Sequence, residues 1–321
     1  MRNAPAGDEP SPAVSRFRSF VGAVLLVLAI AYLGLALRSQ WGEIGPALAA
    51  RELWTLAAAT ALAITMVALK AAYHVYAFRR LGVLRTTSAL RIVSAYAGAQ
   101  VARYLPGKVL GVVYESNRLP EVPWQQVVAA NVIQGLQTMT YTVVVLLAIG
   151  VWLWSNVPTA GISLVIGGSA AAWAAHRWNL MEHAFNTLMR RLRKARGGAR
   201  LPDPSPRHSL RSTAILAAEW LAFFTTWALL MPESDAGLRD VLLLGACYSA
   251  AALAASFAVL IPSGLVVREA IFLWCGTQLA VDATTLVILG LLSRIVLTLA
   301  DVLLPAAAWL AGRFQLSLAR R

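Results

Sequence analysis

Charge is what this sequence has least of. Only 13% of its residues are Asp, Glu, Lys or Arg, roughly half the share of a soluble globular domain. That deficit excludes an ordinary water-facing surface, and with 59% hydrophobic residues it makes lipid the solvent. Cysteine is scarce as well. Cys247 and Cys275 both sit in apolar stretches and imply neither a disulfide framework nor a metal site. The four histidines show no partner spacing, so a serine nucleophile would lack an adjacent base. Acidic residues number 15 against 28 Lys and Arg, a net charge of +13. The basic residues stand mainly between apolar runs, as cytoplasmic loops of a membrane protein require. The expected partners are therefore membrane lipids and not nucleic acid, and no cofactor or metal is expected.

Long apolar runs are abundant. Crossing a bilayer as helix takes about 20 residues, and full spans are expected at 17–37, 53–77, 126–150, 160–176, 212–231 and 284–311. A polar tail, 1–16, precedes the first, which reads as a retained span and not as a cleaved signal. Between Arg177 and Arg211 lie nine basic residues, Gly197 and Gly198, and three prolines. This basic linker, 177–211, divides the chain nearly in half. Within it Met181, Phe185, Leu188 and Leu192 share one helical face, which fits a helix lying on an anionic leaflet; a solvated basic loop is the plainer reading. A second basic tail, 313–321, closes the chain.

Arginine counting sets the topology. With the N-terminus inside, the basic segments 79–91, 177–211 and 313–321 are all cytoplasmic only if two interrupted apolar segments, 88–120 and 238–281, each return to the side they left. The fold class expected is thus all-α and polytopic, with about six full spans plus two Pro/Gly-broken hairpins. A first repeat, 17–150, starts inside; a second, 160–312, has the same order and starts outside. Inverted repeats of this kind place broken helices and a substrate site near the midplane of transporters. The second interrupted segment is also long enough for two full crossings, which would keep the same topology.

Each interrupted segment carries a helix break. In "RYLPGKVLGVVYES", 103–116, Pro106 lacks an N–H and disfavours helix before it, and Gly107 turns freely. In "VLIPSGLVVREAIF", 259–272, Pro262, Ser263 and Gly264 repeat the device. The freed backbone must be buried in protein or face a wet cavity. Ser94, Gly98 and Ala102 before the first break, and Ala246, Ala250, Ala254 and Ala258 before the second, are stripes of small residues suited to close helix contact.

Charges gather at these breaks: Arg103, Lys108, Glu115 and Arg118 at the first, Arg268 and Glu269 at the second. Arg294 and Asp301 share a face of the last span, and Glu219 lies mid-span. Each charge near the bilayer centre costs about 2.5–3.5 kcal/mol, so lipid-facing placement is excluded. Two readings follow. The charges pair with one another as glue, for example Arg268 or Arg294 with Glu115, Glu219 or Asp301; or their basic excess holds an anion such as phosphate, which guanidinium matches in bidentate fashion. In the second reading Arg103, Lys108, Glu115, Arg118, Arg268, Glu269 and Arg294 bind substrate, and Glu219 and Asp301 serve ion coupling or pairing.

"RYLPGKV" with Arg118, and "IPSGLVVREA", resemble the motifs of the lysylphosphatidylglycerol synthase transmembrane-domain family. These are flippase-like integral membrane proteins related to the flippase portion of multiple peptide resistance proteins. Arg103, Pro106, Gly107 and Arg118 match the first motif; Pro262, Gly264 and Glu269 match the second. Leu265, Val266 and Val267 replace glycine-rich positions of the family pattern. The 321 residues hold no soluble aminoacyl-transfer segment, so the resemblance implies translocation of an anionic phospholipid or polyprenyl-phosphate-linked sugar across the cytoplasmic membrane. Two other functions stay open. An intramembrane lipid-sugar transferase would need acidic residues at an outer loop; the first outer loop offers only Glu43 and Glu52, and no paired Asp motif appears. A non-transporting subunit could dock envelope-biosynthesis enzymes through the basic linker.

Overall fold

The computed structural model describes residues 52–85, 87–102, 109–155, 206–231, 237–256, 265–279 and 281–318, with isolated positions at 35, 38, 42, 46 and 166. The expected spans at 17–37 and 160–176 and most of the basic linker lie outside the described residues. So do both hairpin tips, with Arg103, Pro106, Gly107 and Lys108 at one and Pro262, Ser263 and Gly264 at the other.

The described chain is all-helical. Eight α-helices follow in order: α1 Leu53–Arg80, α2 Ala89–Ala102, α3 Val109–Arg118, α4 Trp124–Ser155, α5 Pro206–Leu230, α6 Leu238–Ser256, α7 Leu265–Gln278 and α8 Ala283–Leu318. No strand occurs among the described residues. Five helices, α1, α4, α5, α6 and α8, contain segments long and apolar enough to cross a membrane. Four of them coincide with expected spans. The fifth, α6, is the first arm of the second interrupted segment. By contrast α2 and α3 have 14 and 10 residues, about 21 and 15 Å at 1.5 Å per residue, and fall well short of a bilayer core of about 30 Å.

Local chemistry sets the helix ends. Arg79 and Arg80 occupy the last turn of α1, where cations complement the negative end of the helix dipole. Gly82 follows with φ of 76° and donates its N–H to the Arg79 carbonyl at 3.1 Å, closing the helix with a left-handed residue. The Ser88 hydroxyl accepts from the Arg91 N–H at 3.3 Å at the start of α2. Asp282 does the same for Thr285 N–H at 3.0 Å at the start of α8, an N-cap that satisfies an orphan amide.

The two largest apolar cores among the described residues both include α1. Ala59, Ala63 and Val67 of α1 join Trp227 of α5, Tyr248 of α6, Phe272 of α7 and Leu286, Leu289 and Leu292 of α8. One turn beyond His74, Ala77 and Phe78 join Ile92 of α2, Leu119, and Val127 and Ile133 of α4. The middle of α1, with Lys70 and His74, therefore lies between the cores. Large apolar side chains such as Leu221, Trp274 and Leu303 remain exposed, as helices solvated by lipid allow. Trp54 and Trp154 are exposed at one end each of α1 and α4, positions suited to a membrane interface.

Helices α2 and α3 lie against each other, as do α6 and α7. Glu121, just after α3, pairs with Arg91 at 3.2 Å and accepts from Thr87 at 2.9 Å, so the two outer ends of the α2–α3 hairpin are tied together. A Cβ at Gly98 would overlap the Tyr114 ring, which is where the first small-residue stripe lets α3 approach α2. The second stripe behaves differently. Ala246 is buried, but Ala254 is exposed, and the inward side of α6 is Tyr248, Ala251 and Ala255.

Several contacts between helices repeat when the first four are exchanged for the last four, whereas the extensive contact of α1 with α8 has no such counterpart between α5 and α4 among the described residues. α2 meets α8 as α6 meets α4; α1 meets α2 as α5 meets α6; α3 meets α4 as α7 meets α8. Helix α1 meets α5 most extensively.

Candidate functional site

A cavity of about 420 Å³ lies among the helices, with walls from α1, α2, α4, α5, α6, α7 and α8. Its charged lining is balanced: Lys70 and Arg268 against Glu219 and Asp301. Helix periodicity explains the polar wall on α4. Asn131, Gln134, Thr138 and Thr142 follow at steps of three and four along the helix, so they share one face, and all four border the cavity.

Lys70 of α1 reaches Glu219 of α5 at 3.4 Å. Arg268 of α7 sits 5.1 Å from the ring centroid of Tyr248 on α6, a distance at which a guanidinium is attracted by the ring face. Arg294 of α8 donates to Glu269 of α7 at 3.0 Å. The pairing reading had Arg294 meeting Glu115, Glu219 or Asp301. One carboxylate partner of Arg294 is Glu269, which that reading did not name, because α7 and α8 run side by side.

Glu115 of α3 is fully buried. One carboxylate oxygen lies 2.5 Å from His74 Nε2, and the other accepts from Asn131 at 2.7 Å. Glu115 thus stands directly behind the cavity wall, held by a wall residue. Arg118, one turn on, is exposed; its Nε donates to the Tyr114 hydroxyl at 3.2 Å, and its guanidinium stacks over the same ring. Of the charged residues singled out from the sequence, Arg268, Glu219 and Asp301 border the cavity. Arg103 and Lys108 lie outside the described residues.

His74 is the residue that the sequence did not reveal. Its Nδ1 lies 2.6 Å from Gln134 Oε1, while Gln134 Nε2 donates to the Lys70 carbonyl at 3.1 Å and the Tyr96 hydroxyl at 3.0 Å. A carbonyl can only accept. The amide nitrogen of Gln134 must therefore face Lys70, its oxygen must face His74, and Nδ1 must carry a hydrogen. One further proton then lies on the line from Nε2 to Glu115. Whether it is written on imidazole or carboxyl, the pair is electrically neutral overall. That neutrality is what lets a histidine and a glutamate with no exposed surface exist among Phe78, Tyr96 and apolar neighbours. A signal for this was present: Lys70 and His74 are four apart on an apolar helix, and Asn131 and Gln134 three apart on another.

Among the described residues, no three His, Cys, Asp or Glu side chains come together as a metal site would need. No protein-family model matches the chain, and no curated protein matches it.

Proposed function

We propose that the chain translocates a lipid with an anionic, phosphate-bearing headgroup, either a phospholipid or a polyprenyl-phosphate-linked sugar, across the cytoplasmic membrane. The observation that carries this reading is the charged cavity lined by helices of both halves of the chain. A pocket of about 420 Å³ has the size of a polar headgroup and not of its hydrocarbon tails, which would stay in lipid. Charged side chains are costly inside a membrane and mark substrate paths there.

The partial exchange of helix contacts supports an inverted repeat in which α1 to α4 correspond to α5 to α8. Each half then offers a carboxylate from its second hairpin arm to the long helix that follows: Glu115 to Asn131 of α4, and Glu269 to Arg294 of α8. The tie between Arg91 and Glu121 supports a re-entrant α2–α3 hairpin that begins and ends on the cytoplasmic side. In this reading the termini are cytoplasmic, rocking of the halves exposes the cavity alternately, and the chain is a divergent relative of the lysylphosphatidylglycerol synthase transmembrane-domain family.

The test is reconstitution. Vesicles holding the purified chain and a headgroup-labelled anionic phospholipid are treated with a membrane-impermeant quencher. Translocation makes the inner-leaflet label accessible. If only outer-leaflet label is quenched for every anionic lipid tried, and the chain instead co-purifies with a glycosyltransferase, an accessory role replaces this reading.

A further inference from the structure

Three buried polar atoms around the cavity have no hydrogen-bond partner among the described residues: Arg268 Nε, the Tyr248 hydroxyl and Glu219 Oε2. All three residues line the same cavity. Buried polar groups in folded proteins are nearly always satisfied, by protein, water or ligand, and leaving one unmade costs about 1–3 kcal/mol. Three such atoms around one space point to something that fills it.

Their chemistry is not of one sign. Arg268 offers an N–H donor on a fixed positive charge, and the Tyr248 ring beneath it carries a hydroxyl close by. Glu219 is only 7% exposed; its Oε1 faces Lys70, while Oε2 can only accept if ionised. A bare phosphate could satisfy Arg268 and Tyr248, but the only donor it could turn to Glu219 is its own P–OH, on the same small group that Arg268 and Tyr248 already hold. We infer that the cavity takes a phosphate ester whose substituent carries its own hydrogen-bond donor, a hydroxyl or an ammonium. The phosphate sits at Arg268 and Tyr248, and the donor sits at Glu219. Ethanolamine, glycerol and sugar phosphates have this shape; phosphatidic acid, whose only headgroup donor is a P–OH, does not. The inference rests on the translocator reading and narrows its substrate class.

Binding to the purified full chain in nanodiscs of phosphatidylcholine tests it apart from transport. The probes are inorganic phosphate, phosphoethanolamine, glycerol phosphate and a hexose phosphate, with phosphatidylethanolamine, phosphatidylglycerol and phosphatidic acid added to the discs as lipid arms. The donor-bearing esters are expected to bind at least about tenfold more tightly than inorganic phosphate, whose P–OH is its only donor for Glu219. Glu219→Gln, which keeps the volume, should erase that preference. Arg268→Lys, which keeps the charge but loses the planar fork, should weaken all phosphate ligands. Binding only in the lipid arms assigns the site to a lipid headgroup; binding in both assigns it to the ester itself. Equal binding of phosphate and its esters, or a preference that survives Glu219→Gln in a variant that melts like the parent, overturns the inference. Should lipids move between leaflets while no donor-bearing ester binds, this site assignment fails and translocation stands. Should the esters bind while no lipid moves, translocation fails and the site stands.

Discussion

His74 Nε2 and Glu115 Oε1 lie 2.5 Å apart, and neither residue has exposed surface. The contact joins α1, which spans both cores, to α3, the short second arm of the first hairpin. Asn131 and Gln134 of α4 hold the two residues from the cavity side. The pair therefore fixes the hairpin to the scaffold at the level of the cavity.

Breaking it from one side should be expensive. Glu115→Ala is expected to lower stability by about 3–5 kcal/mol, the cost of removing one partner of a buried pair. Glu115→Gln should cost only about 1 kcal/mol, because its amide N–H can donate to a neutral His74 while its oxygen still accepts from Asn131. Thermal unfolding in detergent distinguishes them. Equal losses for both variants would show that the hydrogen-bond assignment at His74 is wrong.

Glycine at 98 is required by contact, whereas glycine at 290 is not. A Cβ at Gly98 overlaps Tyr114, while one at Gly290 would meet Phe272 at an ordinary 3.7 Å. Gly98→Ala is expected to cost about 1–3 kcal/mol through overpacking. Gly290→Ala should be neutral or stabilise by up to about 1 kcal/mol, since alanine is the better helix former. Unfolding midpoints of the two variants should move in opposite directions or differ clearly, and matching shifts would contradict the α2–α3 contact.

Much of this was legible in the sequence. Apolar length gave α1, α4, α5 and α8 to within about seven residues at either end, while Pro106 and Pro262 lie outside the described residues. Glu219, Asp301 and Arg268 stood out because charge in hydrocarbon needs a reason. What periodicity could not give was partnership across helices. Arg294 meets Glu269, 25 residues away, and His74 meets Glu115, 41 residues away, distances set by which helices lie together. The second alanine stripe misled for a related reason: spacing defines a face, but Tyr248, and not Ala254, is what α6 turns inward.

Arg294 and Glu269 should behave as one unit. In a double-mutant cycle with Arg294→Gln and Glu269→Gln, the coupling is expected to be on the order of 1–3 kcal/mol. Losses that simply add would mean that the 3.0 Å contact contributes nothing to holding α7 on α8.

The proposed topology makes a labelling prediction. In a chain with Cys247 and Cys275 replaced by Ser, cysteines at the exposed positions Ala89 and Pro120 should both react from the cytoplasmic side. A cysteine at exposed Trp154 should react from the outside. Labelling of Ala89 and Pro120 from opposite sides would rule out a re-entrant first hairpin.

The central claim is that the cavity carries the headgroup during translocation, and transport by cavity variants tests it most directly. In quencher-accessibility assays on reconstituted vesicles, the parent chain should expose inner-leaflet anionic lipid. Arg268→Ala should cut that rate by at least about tenfold, the loss of a charge-assisted hydrogen bond. Arg239→Ala, on the exposed start of α6, should leave it unchanged. Transport by Arg268→Ala at the parent rate would contradict the account.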